Sequence, residues 1–137
     1  LFTEGVAAHL LEPPVNVMRL SLHPDGLAAR IVNLPEWRAH VLDGLGRQAV
    51  LSGDPAIAAL HDEMAALPGE DPAVAADLDL GGISIPLVLR HEGGELRFIS
   101  TATTFSTAVD VTVSELAIES FFPADDETAE ALRDRAG

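Results

Sequence analysis

Asn16 and Arg19 are the residues of this sequence best suited to binding chemistry, because they stand three positions apart in the apolar segment 15–22. Positions three apart share one face of a helix, so the two polar heads would lie side by side. A guanidinium among apolar neighbours needs a carboxylate, a carbonyl or an anionic ligand. Two interpretations follow. Either Arg19 pairs with an acidic neighbour while Asn16 caps the chain after Pro14, or both orient the head group of a ligand at the mouth of an apolar cavity.

Catalytic and metal-binding patterns have little support in the sequence. It contains no Gly-x-Ser-x-Gly elbow, no glycine-rich phosphate loop and no cysteine. The five histidines show none of the short spacings that are typical of metal sites. We therefore expect no enzyme, no metal centre and no cofactor.

Composition and charge limit the classes of protein to which this chain can belong. With 137 residues, of which 47% are apolar, it is long enough for one domain with a core, and we expect residues 1–137 to form a single domain. A net charge of −14 repels phosphate backbones, which argues against direct nucleic-acid binding. No apolar run reaches the length of a membrane span, and no signal peptide is visible. We expect a cytoplasmic protein without membrane contact and, because the first residue is leucine, a fragment of a longer chain.

The first half of the chain has helical periodicity. Apolar residues recur at three- and four-residue steps over 15–22, 34–51 and 55–67, which predicts three helices. Asn33 and Glu36 have the spacing of a capping box, and Asp54-Pro55 starts the third helix directly after Ser52-Gly53. The short connection favours two antiparallel neighbouring helices, and residues 68–82 are predicted to form an acidic loop.

The second half of the chain alternates with the period of a strand. Strands are predicted over 83–90, 95–105 and 116–122, with an extension of the sheet at 109–113. His91-Glu92-Gly93-Gly94 predicts a hairpin turn, Pro86 an edge position or a bulge, and Asp125 the cap of a terminal helix. Helices followed by an antiparallel sheet predict an α+β fold.

The apolar residues around this framework also have two interpretations. Trp37, the sole tryptophan, is either a core anchor of its helix or part of a cavity wall. Ser100, Ala102 and Ser120 are small residues at sheet positions, and they leave space that either larger helix side chains or a ligand must fill.

Several motifs in order resemble a known family. These are Asn16-x-x-Arg19 in a short apolar helix, 34–38 (Leu-Pro-Glu-Trp-Arg) opening a longer one, 53–56 (Gly-Asp-Pro-Ala) starting the next, and 116–125 leading into a final helix. Together they resemble the MmyB-like ligand-binding domain, the C-terminal part of helix-turn-helix transcriptional regulators of the XRE type. The likeness runs from about residue 10 to the end.

The resemblance implies a PAS-like fold, with an antiparallel sheet and helices packed on one face, and its first strands would be missing before Leu1. It also implies a small apolar, fatty-acid-like ligand between the helices of 15–67 and the sheet of 83–122. DNA would be contacted only by an N-terminal helix-turn-helix domain that this chain lacks. The alternative is a ligand-free dimerisation module, and a homodimer is expected. For the ligand-binding interpretation, the predicted head-group residues are Asn16 and Arg19, and the apolar lining residues predicted from periodicity are Met18, Leu22, Trp37, Val41, Phe98 and Ile118.

Overall fold

The computed structural model describes residues 1–70, 85–104 and 117–137, with the backbone alone at 102–104 and 117–118. These residues group into two compact units, drawn from Leu1–Gly81 and Gly82–Gly137. The first unit is helical, and the second contains a sheet and a helix. The elements are α1 (Val17–Leu22), α2 (Leu34–Ser52), α3 (Pro55–Ala66), β1 (Leu87–His91), β2 (Gly94–Thr104), β3 (Ala117–Pro123) and α4 (Asp126–Ala136), with single 3-10 turns at Ala8–Leu10 and Ala28–Arg30.

Helices α2 and α3 form a hairpin with a two-residue connection. Gly53 ends α2 with a left-handed backbone (φ 65°), and its N–H donates to the Ala49 carbonyl. Asp54 then caps α3, because its side chain accepts a hydrogen bond from the Ala56 N–H at 2.8 Å. Arg38, early in α2, donates to the carbonyl of Ala65 at the far end of α3 at 2.7 Å. The two helices therefore run antiparallel, as the short connection predicts.

The start of α2 differs in one respect from the expected capping box. Asn33 stands at the N-cap position, but its side chain makes no capping hydrogen bond. Its φ of −101° and ψ of 45° lie outside the extended region that capping residues usually adopt. The capping-box prediction is therefore wrong, although the boundary of the helix is correct.

The core of the first unit follows the helical periodicity of apolar residues over 34–51. Trp37, Val41 and Leu45 recur at four-residue steps, and each is at most 5% exposed. On α3, Met64 is completely buried, and Leu22 at the end of α1 is 2% exposed. Helical periodicity was sufficient to identify these positions as buried.

The sheet of the second unit is antiparallel in the order β1-β2-β3. Leu87 pairs with Phe98 and Leu89 with Leu96, so four apolar side chains share one face, and all four are buried. The turn between β1 and β2 has positive φ at Glu92 (40°) and Gly93 (87°), as a two-residue hairpin requires. Pro86 lies just before β1, an edge strand of the described sheet, which fits its missing N–H.

The α+β prediction is confirmed, with an antiparallel sheet of three described strands. The predicted extension at 109–113 and most of the predicted loop at 68–82 fall outside the described residues. The PAS-like arrangement and the single-domain assignment remain predictions.

Candidate functional site

Asn16 is used locally, as the N-cap of α1. Its Oδ1 accepts a hydrogen bond from the backbone N–H of Arg19 at 3.1 Å, which satisfies one of the free amides at the start of the helix. The side chains of Asn16 and Arg19 therefore have different roles in this structure. The amide of Asn16 orders the helix that carries Arg19.

Arg19 forms a two-pronged ion pair with Glu63 of α3. Its Nε donates to Oε1 at 2.8 Å and its Nη2 to Oε2 at 2.7 Å, the parallel geometry of a strong guanidinium–carboxylate contact. The hydrogen bond raises the pKa of Arg19 and lowers the pKa of Glu63. Both side chains are nearly half exposed, so another carboxylate has access to the guanidinium from solvent.

The predicted lining residues are distributed over the two units. Leu22, Trp37 and Val41 are buried in the first unit, where Met18 is partly exposed. Phe98 is 2% exposed in the second unit, and Ile118 lies in β3 with its side chain outside the described residues. The ligand role of all eight predicted residues therefore remains a prediction.

Trp37 has a polar group at a buried position. Its indole Nε1 is buried and has no hydrogen-bond partner among the described residues. The ring of His40, about one turn later in the same helix, lies 5.5 Å from the Trp37 ring between centroids, and the two ring planes are tilted by 38°. Burial lowers the pKa of His40, and the charge of Arg47 adds to this effect. A buried N–H without an acceptor costs about 1–3 kcal/mol, so it calls for an explanation.

A groove along the second half of α2 was not anticipated from the sequence. The groove is open to solvent, has a volume of about 610 Å³ and is lined mainly by apolar surface. Val50 and Leu51 are 84% and 87% exposed, which is unusual for residues of this type. The sequence signal was the spacing of Leu42, Gly46 and Val50, which places them in one row on the helix beside the core stripe. The lining residues are Leu42, Asp43, Gly46, Arg47, Val50, Leu51 and His61.

The model of one protein family, described as the MmyB-like transcription regulator ligand binding domain, matches residues 1–134. The chain belongs to this family. The match agrees with the resemblance of the motifs and covers both units of the structure. A search of curated proteins and a search of solved structures returned no match.

Membership in the MmyB-like family makes this chain the ligand-binding part of a transcription regulator. In the described ranges, no helix of this MmyB-like domain is long and apolar enough to cross a membrane.

The histidines of this MmyB-like domain are arranged differently from what their spacing indicates. No short-range motif contains two of them, but the rings of His9 and His23 lie 5.7 Å apart, and Asp25 is close to both. Only the pair His23-x-Asp25, within one turn, was visible as a local signal. The approach of His9 depends on the fold.

Proposed function

We propose that this domain binds a small apolar molecule with an acidic head group, of the fatty-acid type, and thereby changes the DNA affinity of a helix-turn-helix domain joined to it. The domain then acts as a sensor that binds its ligand without converting it chemically. Membership in a family of regulator ligand-binding domains supports binding rather than catalysis.

Trp37 carries the proposal, because its buried indole N–H has no acceptor among the described residues. One oxygen of the ligand carboxylate would supply that acceptor and remove the cost of the orphaned donor, which leaves the other oxygen for a second donor. Other buried apolar side chains of the same unit, Leu22 and Val41 among them, suit a hydrocarbon chain.

Arg19 is the proposed head-group anchor, with Asn16 holding the start of its helix. The guanidinium is bound by Glu63, so a ligand carboxylate must displace the Glu63 carboxylate and take its place. Exchange between two carboxylates at a half-exposed arginine costs little, since exposed ion pairs contribute about 1 kcal/mol or less. The exchange would also release α3 from α1, which supplies two states between which a ligand can select.

The test is a titration of the purified chain with oleate, in which the fluorescence of the sole tryptophan reports binding. Arg19→Met should weaken binding at least about tenfold, because the charged anchor is lost. Glu63→Gln should strengthen it, because a competing negative charge is removed. Oleyl alcohol, which has the same hydrocarbon chain without the carboxylate, should bind the wild type more weakly and should not distinguish the variants.

Arg47→Met is the matched control, since Arg47 is also an exposed arginine paired with one acidic residue, Asp43 at 3.1 Å. Loss of binding in this variant, with Arg19→Met unchanged, would move the ligand to the groove of α2. If oleate binds neither the wild type nor Glu63→Gln, the fatty-acid proposal is wrong.

The alternative function, dimerisation with a second copy of this chain, is favoured by the exposure of Val50 and Leu51. Val50 and Leu51 line one mainly apolar groove with Leu42, and contiguous apolar surface of this kind marks an interaction site. Sedimentation velocity of the wild type and Val50→Glu tests it, with Val32→Glu (39% exposed) as the control. A dimer that dissociates only in the Val50 variant supports this function, and a wild type that is monomeric at all concentrations contradicts it.

A further inference from the structure

Three metal-ligating side chains meet at the end of α1. His9 lies in the 3-10 turn Ala8–Leu10, His23 is the C-cap of α1, and Asp25 lies in the turn that follows. One ligand atom from each residue lies within 4.8 Å of the other two. We propose that this cluster, named here the His9–His23–Asp25 site, binds a divalent transition-metal ion such as Zn²⁺.

Backbone hydrogen bonds hold the two segments of the site together. The N–H of Ala7 donates to the carbonyl of Asp25 at 2.9 Å, which brings the turn of His9 beside the loop after α1. Within that loop the Gly26 N–H donates to the His23 carbonyl at 2.9 Å. The ligands therefore come from a framework that is ordered without metal, which reduces the entropy that binding must overcome.

The distances suit coordination after small side-chain rotations. Zn²⁺ binds nitrogen and carboxylate oxygen at about 2.0–2.2 Å, so tetrahedral ligand atoms stand roughly 3.4 Å apart. His23 Nδ1 and Asp25 Oδ2 are 3.9 Å apart, and the rings of His9 and His23 meet edge to face at 79°. His9 and Asp25 are exposed and His23 is partly buried, so an ion can enter from solvent.

The donor set is also chemically appropriate. Two imidazoles and one carboxylate with a water molecule as the fourth ligand are a known combination for Zn²⁺. His23 Nδ1 accepts a hydrogen bond from the Asp25 N–H at 3.0 Å, so this nitrogen presents a lone pair rather than a proton, as a metal ligand must. A metal at Nδ1 replaces that hydrogen bond and leaves the Asp25 amide to water, since the position is exposed. The net charge of −14 further favours a cation over an anion in this place.

The site differs from the other histidine–carboxylate pairs of the described residues in having three ligands. His61 and Asp62 approach to 3.4 Å without a third ligand residue in the described part of the chain. This pair supplies a matched control, because it tests whether any surface histidine beside a carboxylate binds the ion to the same extent.

The experiment is calorimetric titration of the full chain with Zn²⁺, repeated with Co²⁺ while the visible absorption is recorded. One ion per chain should bind, and the absorption of Co²⁺ should be that of a four- or five-coordinate site. His9→Ala, His23→Ala and Asp25→Asn should each lower the affinity at least about tenfold, a loss that even outer-shell changes at metal sites produce. His61→Gln should leave it unchanged.

A second readout does not depend on affinity alone. Zn²⁺ joins two segments of the first unit, so it should raise the melting temperature of the wild type but not that of His9→Ala. His9 is exposed, and its loss should leave the metal-free fold intact, so this variant can be compared directly. Absence of a bound ion in the wild type, or equal binding by the wild type and all three ligand variants, would overturn the proposal. Because no step uses oleate, these outcomes are independent of the test for the sensor function.

Discussion

The hydroxyl of Thr128 extends the hydrogen bonding of β2 beyond the end of its neighbouring strand. β3 ends at Pro123, opposite Phe98 of β2. Arg97 precedes Phe98 in β2 and therefore lies beyond the end of β3, and its N–H donates to Thr128 Oγ1 at 2.9 Å. The carbonyl of Arg97 accepts from the Ala124 N–H at 2.8 Å. Thr128 is fully buried and belongs to α4, so a helix side chain continues the hydrogen bonding of the central strand past the end of β3.

Replacing Thr128 with valine should therefore destabilise the second unit. Valine keeps the shape of threonine but leaves the part-buried Arg97 N–H without its acceptor, and the loss of such a hydrogen bond costs about 0.5–1.5 kcal/mol. Chemical denaturation monitored by circular dichroism measures the change in the free energy of unfolding. Thr128→Ser keeps the hydroxyl and should lower the free energy of unfolding clearly less than Thr128→Val does. Equal losses in both variants would mean that the methyl group, rather than the hydrogen bond, is responsible.

Two glycine substitutions should change stability in opposite directions. A Cβ at Gly26 would lie 2.2 Å from the Leu20 carbonyl oxygen, a backbone atom that cannot move freely, so Gly26→Ala should cost about 1–3 kcal/mol. A Cβ at Gly44, inside α2, meets no atom of the described residues within 4 Å, so Gly44→Ala should stabilise by about 0.5–1 kcal/mol. Thermal melts of both variants measure the difference. A Gly26→Ala variant as stable as the wild type would contradict the close approach of the two backbone segments.

Acidification should weaken the first unit through His40. Burial lowers the pKa of His40 in the folded chain below its ordinary value of 6.5, so the unfolded chain takes up a proton first. The contribution of the neutral ring to the free energy of unfolding is complete above pH 6.5. It is lost as the pH falls from there through the lower pKa of His40 in the folded chain. His40→Gln cannot be protonated, so its free energy of unfolding should depend less on pH in this window. Urea denaturation at several pH values measures the free energy of unfolding of the wild type and of His40→Gln. If the two free energies change with pH in parallel, His40 makes no contribution to the pH dependence.

The pair of Arg19 and Glu63 should show the behaviour of an exposed ion pair. A double-mutant cycle with Arg19→Met and Glu63→Gln should give a coupling of about 0.5–1 kcal/mol, smaller at high salt. Arg19 lowers the pKa of Glu63 below 4.5, so the coupling is present above that pH and is lost as the pH falls through the lower folded value. A coupling unaffected by salt or acid would contradict the ion pair.

The local elements of this protein could be predicted from its sequence because their causes are local. The turn at Glu92-Gly93, the left-handed end of α2 at Gly53 and the caps at Asp54 and Asp125 each depend on residues within a few positions. Asn33 shows the limit of this reasoning, since a capping residue in the correct position did not adopt the capping geometry.

The candidate site was predicted only in part. Residue types identify Asn16 and Arg19 as an unusual pair, but the sequence does not separate the two interpretations because it does not show the partner of Arg19. Glu63 stands 44 positions away on α3, and no periodicity indicates that pairing. The groove beside α2 was missed for a similar reason, because exposure of Val50 and Leu51 depends on what packs around them.

The sequence alone determined the positions of the described helices and strands and the faces that become buried, because dihedral preferences and hydrophobic periodicity act over a few residues. The family was indicated separately, by the resemblance of several motifs in order, and the match over residues 1–134 agrees with it. Only the tertiary structure decided which charged and polar groups meet. Arg19 with Glu63, Thr128 with Arg97, and His9 with His23 are joined across 14 to 44 positions. Such contacts arise from the packing of whole elements, and packing depends on the shape of the entire unit rather than on any short segment.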